Sequence, residues 1–222
     1  MTVQKAFEVE VKIDAAPDRV WAAVTDPAAI ERWHGWDYDG LAAEIQYIYV
    51  DHATLAPPDR LIIADETGGQ EIVLVPDGSG TRIRVTRPGE AAVDQYDMIE
   101  EGWRSFFQQL RHYLERHPDE ERRTIFLEGD ASPAAVVADL RAKVAGRDWH
   151  ADRYQAGIAT DDFGGGLVIL ASGIPVAADE TGPMMITLTT HGLDDEVFAA
   201  TKRGWLAWWS GLAQNPRLTS AP

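Results

Sequence analysis

The chain has 222 residues and a formal net charge of −16, and it contains no cysteine. This length allows one or two domains, and the acidity disfavours binding to nucleic acid or to an anionic membrane surface. The absence of cysteine excludes disulfides, thiolate nucleophiles and Cys-based zinc sites.

The first predicted element is a strand over residues 7–13, where apolar and polar side chains alternate. Pro17 favours the first turn of a helix that ends near Asp26, and a second short helix is predicted from Pro27 to about Trp33.

Neither the apolar core of a signal peptide nor a membrane span is found in the sequence. We therefore expect a cytoplasmic protein that is not bound to a membrane.

Four strands are predicted next, at 45–50, 60–64, 71–75 and 82–86, because turn-forming residues rich in proline and glycine separate four apolar runs. After Gly89 the apolar residues recur every three or four positions, which predicts one long helix over 90–116. The apolar face of this helix comprises Tyr96, Ile99, Trp103, Phe106, Phe107, Leu110, Tyr113 and Leu114.

The rest of the chain repeats this order of elements in a shortened form. A charged, proline-marked stretch at 117–123 reads as a linker. We therefore predict two domains, a complete one at 1–118 and a shortened repeat at 119–222 that ends in a helix over 194–214. The middle of the repeat is shorter by about the length of one hairpin, which predicts a reduced sheet.

Two residue pairs mark the repeat most clearly: Trp33-His34 aligns with Trp149-His150, and Gly102-Trp103 aligns with Gly204-Trp205. We expect the two glycines to permit close approach of each long helix to its sheet.

A set of residues in the first copy carries a family resemblance. It comprises Ile13-Asp14-Ala15-Ala16-Pro17-Asp18-Arg19-Val20-Trp21, Trp33, Gly80-Thr81-Arg82-Ile83-Arg84-Val85, Gly102-Trp103, Leu110 and Tyr113-Leu114. In these residues the copy resembles the START-like helix-grip superfamily, also called SRPBCC, and within it the branch homologous to the activator of heat-shock-protein-ninety ATPase. The resemblance implies an α+β fold of tandem helix-grip units, each a curved antiparallel sheet wrapped on a long C-terminal helix.

The same resemblance implies an apolar cavity between the sheet and the long helix of the first copy. The residues expected to bind a ligand there are Trp33, Tyr96, Ile99, Trp103, Phe106, Phe107 and Leu110. Aromatic residues at helical spacing usually belong to a packed core, and both interpretations stay open. In the second copy, Trp205, Trp208 and Trp209 are expected to fill the core.

His34 is the candidate acid or base of a catalytic alternative, with Asp37 and Tyr38 as neighbours that could orient it. In the other interpretation, Trp33 ends its helix against the sheet and His34 caps the helix or faces water. The six histidines form no helical His-x-x-x-His pair, and His112 and His117 are expected in solvent. No metal and no cofactor are expected.

The glycines at 164–166 are expected to form a turn that enters a strand, whereas a phosphate-binding loop follows a strand and opens a helix.

We expect non-enzymatic binding of a small apolar ligand in the first domain. One alternative is a cyclase, dehydratase or hydrolase type of enzyme that uses the same cavity; another is a co-chaperone-like module that binds a protein partner. The ligand hypothesis requires an open cavity, the enzyme hypothesis also requires His34 to face it, and the partner hypothesis requires an exposed apolar patch. The oligomeric state is left open.

Overall fold

The structure is a computed structural model that describes residues 5–64, 69–90, 95–118 and 120–220. The chain divides into two compact units, one formed by Met1–Gly35 and Gly40–Pro118, the other by Trp36–Asp39 and Asp119–Pro222. Each unit has its own antiparallel sheet and its own helices, so the α+β class is confirmed.

In its described residues, the first unit has five strands, four α-helices and a π-helix. In chain order these are β1 (Phe7–Ile13), α1 (Pro17–Thr25), α2 (Pro27–Ile30), α3 (Leu41–Ile45), the π-helix (Gln46–Asp51), β2 (Ala53–Ala56), β3 (Arg60–Ile63), β4 (Gln70–Asp77), β5 (Gly80–Arg87) and α4 (Met98–Arg116).

The sheet of the first unit has the strand order β1-β5-β4-β3-β2, and every neighbouring pair is antiparallel. Strand β1 alternates buried and exposed side chains along its whole length, as the sequence predicts. Its buried face meets that of β5, where Val9 lies opposite Val85 and Val11 opposite Ile83. Helix α4 packs against β1, and this places the helix over the apolar face of the sheet.

The prediction of a strand at 45–50 was wrong, because α3 and the π-helix run through this stretch. The β-branched and aromatic residues here favour a strand locally. The buried residues, however, are Leu41, Ile45 and Tyr49, which recur every four positions and so form one helical face. The strand next to this segment is β2, which the sequence did not predict.

Helix α4 begins later than predicted. Residues 91–94 of the predicted helix lie outside the described residues, and residues 95–97 are not helical. The start is set by Asp97, whose side chain accepts hydrogen bonds from the amides of Ile99 and Glu100, both at 3.0 Å. Its other carboxylate oxygen is bound by Arg87.

Over residues 120–220, the described part of the second unit contains six strands and three helices. They are β6 (Arg122–Ala131), α5 (Pro133–Lys143), β7 (Gly146–Ala151), β8 (Gln155–Thr160), α6 (Asp162–Gly165), β9 (Leu167–Ser172), β10 (Gly182–His191), α7 (Asp195–Ser210) and β11 (Gln214–Thr219).

The sheet of this unit has the order β11-β6-β10-β9-β8-β7. Its strands from β6 to β7 follow the same order as β1-β5-β4-β3-β2, which confirms the tandem arrangement. The prediction of a reduced sheet was wrong, because the described sheet has six strands where the first has five. The segment between α5 and β7 is short, so the residues saved correspond to α2, α3 and the π-helix of the first unit.

Helix α7 ends at Ser210, four residues before its predicted end. The chain turns at Gly211, and β11 then pairs with β6. The pair Trp149-His150 lies on β7, whereas Trp33-His34 follows a helix. The two pairs therefore align in sequence but not in structure.

None of the helices in the described part of the chain is long and apolar enough to cross a membrane.

Candidate functional site

The first unit contains a cavity of about 790 Å³ beside the N-terminal half of α4. Its wall is mostly apolar and aromatic, with a few polar side chains among them. The described lining residues are His34, Glu44, Tyr47, Ile48, His52, Ile63, Ala64, Gln70, Met98, Ile99, Gly102, Trp103 and Phe106. Four parts of the unit supply them: the turn after α2, the helical segment 41–51, the β3–β4 region and α4.

Three of the predicted ligand-binding residues, Ile99, Trp103 and Phe106, line this cavity. They lie on α4 at helical spacing, so one stripe of the helix faces the cavity. The indole nitrogen of Trp103 donates a hydrogen bond to the side-chain oxygen of Gln70, another lining residue. This bond ties the helix to β4 across the cavity.

Three other predicted residues, Trp33, Phe107 and Leu110, are fully buried and are not among the lining residues. The indole of Trp33 donates to the carbonyl oxygen of Ala23 at 2.8 Å, which fixes the end of the α1–α2 region against the core. Tyr96 precedes α4 and is only partly buried. The single predicted stripe is thus divided between cavity wall and core.

His34 is buried and lines the cavity, which contradicts the interpretation that it faces water. Its ring packs against Phe106, with the ring centroids 4.4 Å apart. The Nδ1 atom lies 3.1 Å from the phenol oxygen of Tyr49, and Nε2 lies 3.8 Å from Oε1 of Glu44. The sequence did not predict Glu44 and Tyr49 as neighbours of His34, although Tyr49 lies four residues after Ile45, which is a helical spacing.

Burial raises the pKa of the Tyr49 phenol well above its ordinary value, and the negative charge of Glu44 adds to the rise. The phenol therefore stays protonated and can donate its hydrogen to Nδ1 of His34. When it does, the neutral imidazole carries its own proton on Nε2, the atom on the side of Glu44. Tyr49, His34 and Glu44 therefore form a row of hydrogen-bonding groups, of which His34 and Glu44 line the cavity.

Asp37 is engaged within the second unit. Its carboxylate accepts a hydrogen bond from the amide of Thr124 at 2.6 Å, and its own amide donates to the Thr124 hydroxyl at 2.6 Å. The guanidinium of Arg122 lies 3.6 Å from the same carboxylate. Asp37 therefore holds its segment to β6 and was wrongly predicted as a neighbour of His34. The side chains beside His34 are those of Tyr49 and Glu44.

His112 and His117 are buried, which corrects the expectation that they face solvent. Their rings lie close together, with centroids 5.0 Å apart.

The aromatic residues of α7 belong to the core of the second unit, as expected. Trp205 and Trp209 are buried, and Trp208 packs against the same cluster. Two indoles also make hydrogen bonds, from Trp208 to Asp139 at 3.0 Å and from Trp209 to the carbonyl oxygen of Glu128 at 2.8 Å. These rings fill the space between α7 and its sheet.

Comparison with known proteins found a family model that matches most of the first unit. Residues 14–115 match the family model described as Activator of Hsp90 ATPase homolog 1-like protein (AHSA1). No curated protein matches the sequence.

Several solved structures are similar. The Aha1 dimer from Colwellia psychrerythraea is 15% identical over 51% of this chain and 98% of its own, with a TM-score of 0.37. A protein from Rhodobacter sphaeroides is 20% identical over 51% of this chain and 93% of its own, with a TM-score of 0.40. DynU16, from the dynemicin biosynthetic locus, is 16% identical with a TM-score of 0.36, and covers 93% of this chain and 96% of its own.

Proposed function

We propose that the first unit, whose residues 14–115 match the AHSA1 family model, is an AHSA1-like domain of the SRPBCC superfamily that binds a small apolar ligand in its cavity without catalysing a reaction. The observation that carries the proposal is the cavity itself. Its volume of about 790 Å³ lies within the range of small-molecule sites, roughly 300–1,000 Å³. An apolar wall with a few polar groups is also typical of such sites.

The exposed apolar side chains of the first unit support the same proposal. Tyr47, Met98 and Ile99 are 58%, 70% and 43% exposed, and all three line the cavity. Apolar surface in contact with water is unfavourable, and a ligand seated between these side chains would cover it. The co-chaperone-like alternative instead needs an apolar surface that a protein partner covers.

The proposal can be tested with Nile red, a neutral apolar dye whose fluorescence rises in an apolar environment. We expect the intact protein to raise the fluorescence and Gly102→Leu to abolish most of the rise. Gly102 lines the cavity, and a Cβ there meets only Phe106, at an ordinary 3.9 Å. A leucine therefore extends into open space and also favours the helix over glycine.

Gly204→Leu is the matched control. It makes the same change in α7, where a Cβ meets no atom within 4 Å. Nile red bound equally by both variants would contradict the proposed site. Native mass spectrometry of freshly purified protein provides an independent test, because a co-purified apolar molecule should be lost from Gly102→Leu alone.

The enzyme alternative is favoured by one observation, the Tyr49–His34–Glu44 row at the cavity wall. A buried imidazole between a phenol and a carboxylate has the chemical groups of a general acid or base. Incubating the co-purified molecule with the protein distinguishes the two functions. A changed mass that appears with the intact protein and not with His34→Gln would establish catalysis, whereas an unchanged mass supports binding alone.

A further inference from the structure

The charges on the cavity wall restrict the kind of ligand that fits. Among the described lining residues, Glu44 is the one carboxylate, and no lysine or arginine is present. The side chain of Glu44 is 40% exposed, so its charge is partly withdrawn from water while facing the cavity. A carboxylate in such a position attracts a cation and repels an anion more strongly than one in bulk water.

The charge of Glu44 also acts on Tyr49, which is not among the lining residues. Burial raises the pKa of the Tyr49 phenol and the charge of Glu44 adds to the rise, so a negative charge on that phenol is disfavoured. The carboxylate also lies 3.8 Å from Nε2 of His34, whose ring forms part of the wall. An anionic ligand group placed beside Glu44 would therefore meet its charge, and no lysine or arginine of the described wall would offset that charge.

Aromatic rings surround the same space. Tyr47, Trp103 and Phe106 all line the cavity, and the faces of aromatic rings attract cations through their quadrupole. The rest of the wall is aliphatic and includes Ile63 and Ile99. A carboxylate and aromatic faces beside an aliphatic wall suit a molecule that is cationic at one end and apolar over the rest.

We infer that the preferred occupant is an apolar molecule bearing a protonated amine, with the amine beside Glu44 and the apolar body against the aliphatic and aromatic wall. This inference rests on the proposed ligand-binding function and specifies the ligand class. It excludes fatty acids and other apolar carboxylates as preferred ligands.

Three probes that share a naphthalene body test the inference by isothermal titration calorimetry at neutral pH. They are 1-naphthylmethylamine, which is protonated, 1-naphthylmethanol, which is neutral, and 1-naphthoate, which is an anion. We expect the amine to bind about three- to tenfold more tightly than the alcohol, the size of effect typical of a partly exposed charge pair with cation–π support. The anion should bind more weakly than the alcohol.

Glu44→Gln should remove the preference for the amine over the alcohol. Glu8→Gln is the matched control, because it changes the net charge equally at an exposed position of β1 outside the cavity wall. Added salt should weaken the amine preference of the unmodified protein as well, since screening acts on the charge pair. This salt measurement decides the question if Glu44→Gln fails to fold.

Equal affinity for amine and alcohol, a preference for the anion, or an amine preference that survives in Glu44→Gln would overturn the inference. Each of these results leaves the proposed binding function standing, because a naphthalene body still binds. Failure of all three probes to bind would overturn the inference and the proposed function together.

Discussion

At the scale of single residues, Tyr49 shows how tertiary structure sets the chemistry of a side chain. Its phenol is buried on the π-helix, next to His34 and near Glu44. Both the loss of water and the negative charge of Glu44 disfavour the phenolate, so the pKa is raised. A raised pKa means that the folded protein retains this proton at a pH where the unfolded chain releases it.

This difference makes the stability of the first unit depend on alkaline pH. The stabilising contribution is complete below the pKa of an unfolded tyrosine, about 10, and is lost as the pH rises above it. In an absorbance titration at alkaline pH, we expect Tyr49→Phe to differ from the unmodified protein by one phenolate that forms only when the protein unfolds. A phenolate that forms in the folded protein near pH 10 would show that Tyr49 is accessible to water.

Trp103 and Trp205 occupy aligned positions on the two long helices, and both are buried. Replacing either residue by alanine should cost about 3–5 kcal/mol, because a large ring leaves a cavity that its neighbours cannot fill. Chemical denaturation followed by circular dichroism measures the loss. An unchanged denaturation midpoint in both variants would show that the rings do not hold the helices to their sheets.

At the scale of elements, the glycines next to these tryptophans do not have the role expected from the sequence. A Cβ at Gly204 meets no atom within 4 Å, and one at Gly102 meets only Phe106 at 3.9 Å. Close approach of helix to sheet therefore does not require glycine at either position. Close approach does require it at Gly164, where a Cβ would lie 1.8 Å from the carbonyl oxygen of His191 and φ is +75°.

The two glycines of the second unit should therefore respond oppositely to alanine. Gly204→Ala should stabilise the protein by about 0.5–1 kcal/mol, because alanine favours an exposed helix interior. Gly164→Ala should destabilise it by on the order of 3 kcal/mol, since the backbone must move to relieve the clash and the positive φ. Thermal unfolding of the two variants measures both effects, and a loss of stability in Gly204→Ala would contradict the open space seen around that residue.

At the scale of the whole molecule, the second unit is built from two separate stretches of the chain. Trp36–Asp39 belongs to it together with Asp119–Pro222. The ring of Trp36 stacks on Phe126 with centroids 3.7 Å apart, and Asp37 is bonded to both the amide and the hydroxyl of Thr124. The predicted domain limits at 1–118 and 119–222 do not assign residues 36–39 to the second unit. These limits stay a prediction.

Removing the Asp37 carboxylate should weaken β6 selectively. In Asp37→Ala the amide of Thr124 loses its acceptor, so we expect its hydrogen exchange to accelerate by about tenfold, the equivalent of roughly 1–2 kcal/mol. Amides of β1 should keep their exchange rates. Asp39→Ala is the control, because it removes an exposed carboxylate from the same segment; equal exchange at Thr124 in both variants would contradict the anchoring role.

The sequence by itself determined strand β1, the two long helices and the tandem plan. Alternation over β1 and the helical period of α4 are local patterns, and they persist because each element buries one face against its sheet. The recurrence of these patterns predicted both helix-grip units, although not the extra strand β11. A strand that is exposed over most of its length carries little apolar pattern in its own sequence.

Tertiary structure alone decided that residues 41–51 are helical. It also decided which residues on the apolar face of α4 line the cavity and which belong to the core. The strand-favouring residues of that segment are helical because Leu41, Ile45 and Tyr49 gain more by burial together than by their local preference. Phe106 and Phe107 are adjacent in sequence and both aromatic, yet one lines the cavity and the other is fully buried. Their difference depends on which neighbours lie opposite each face of the helix, and those neighbours come from distant parts of the chain.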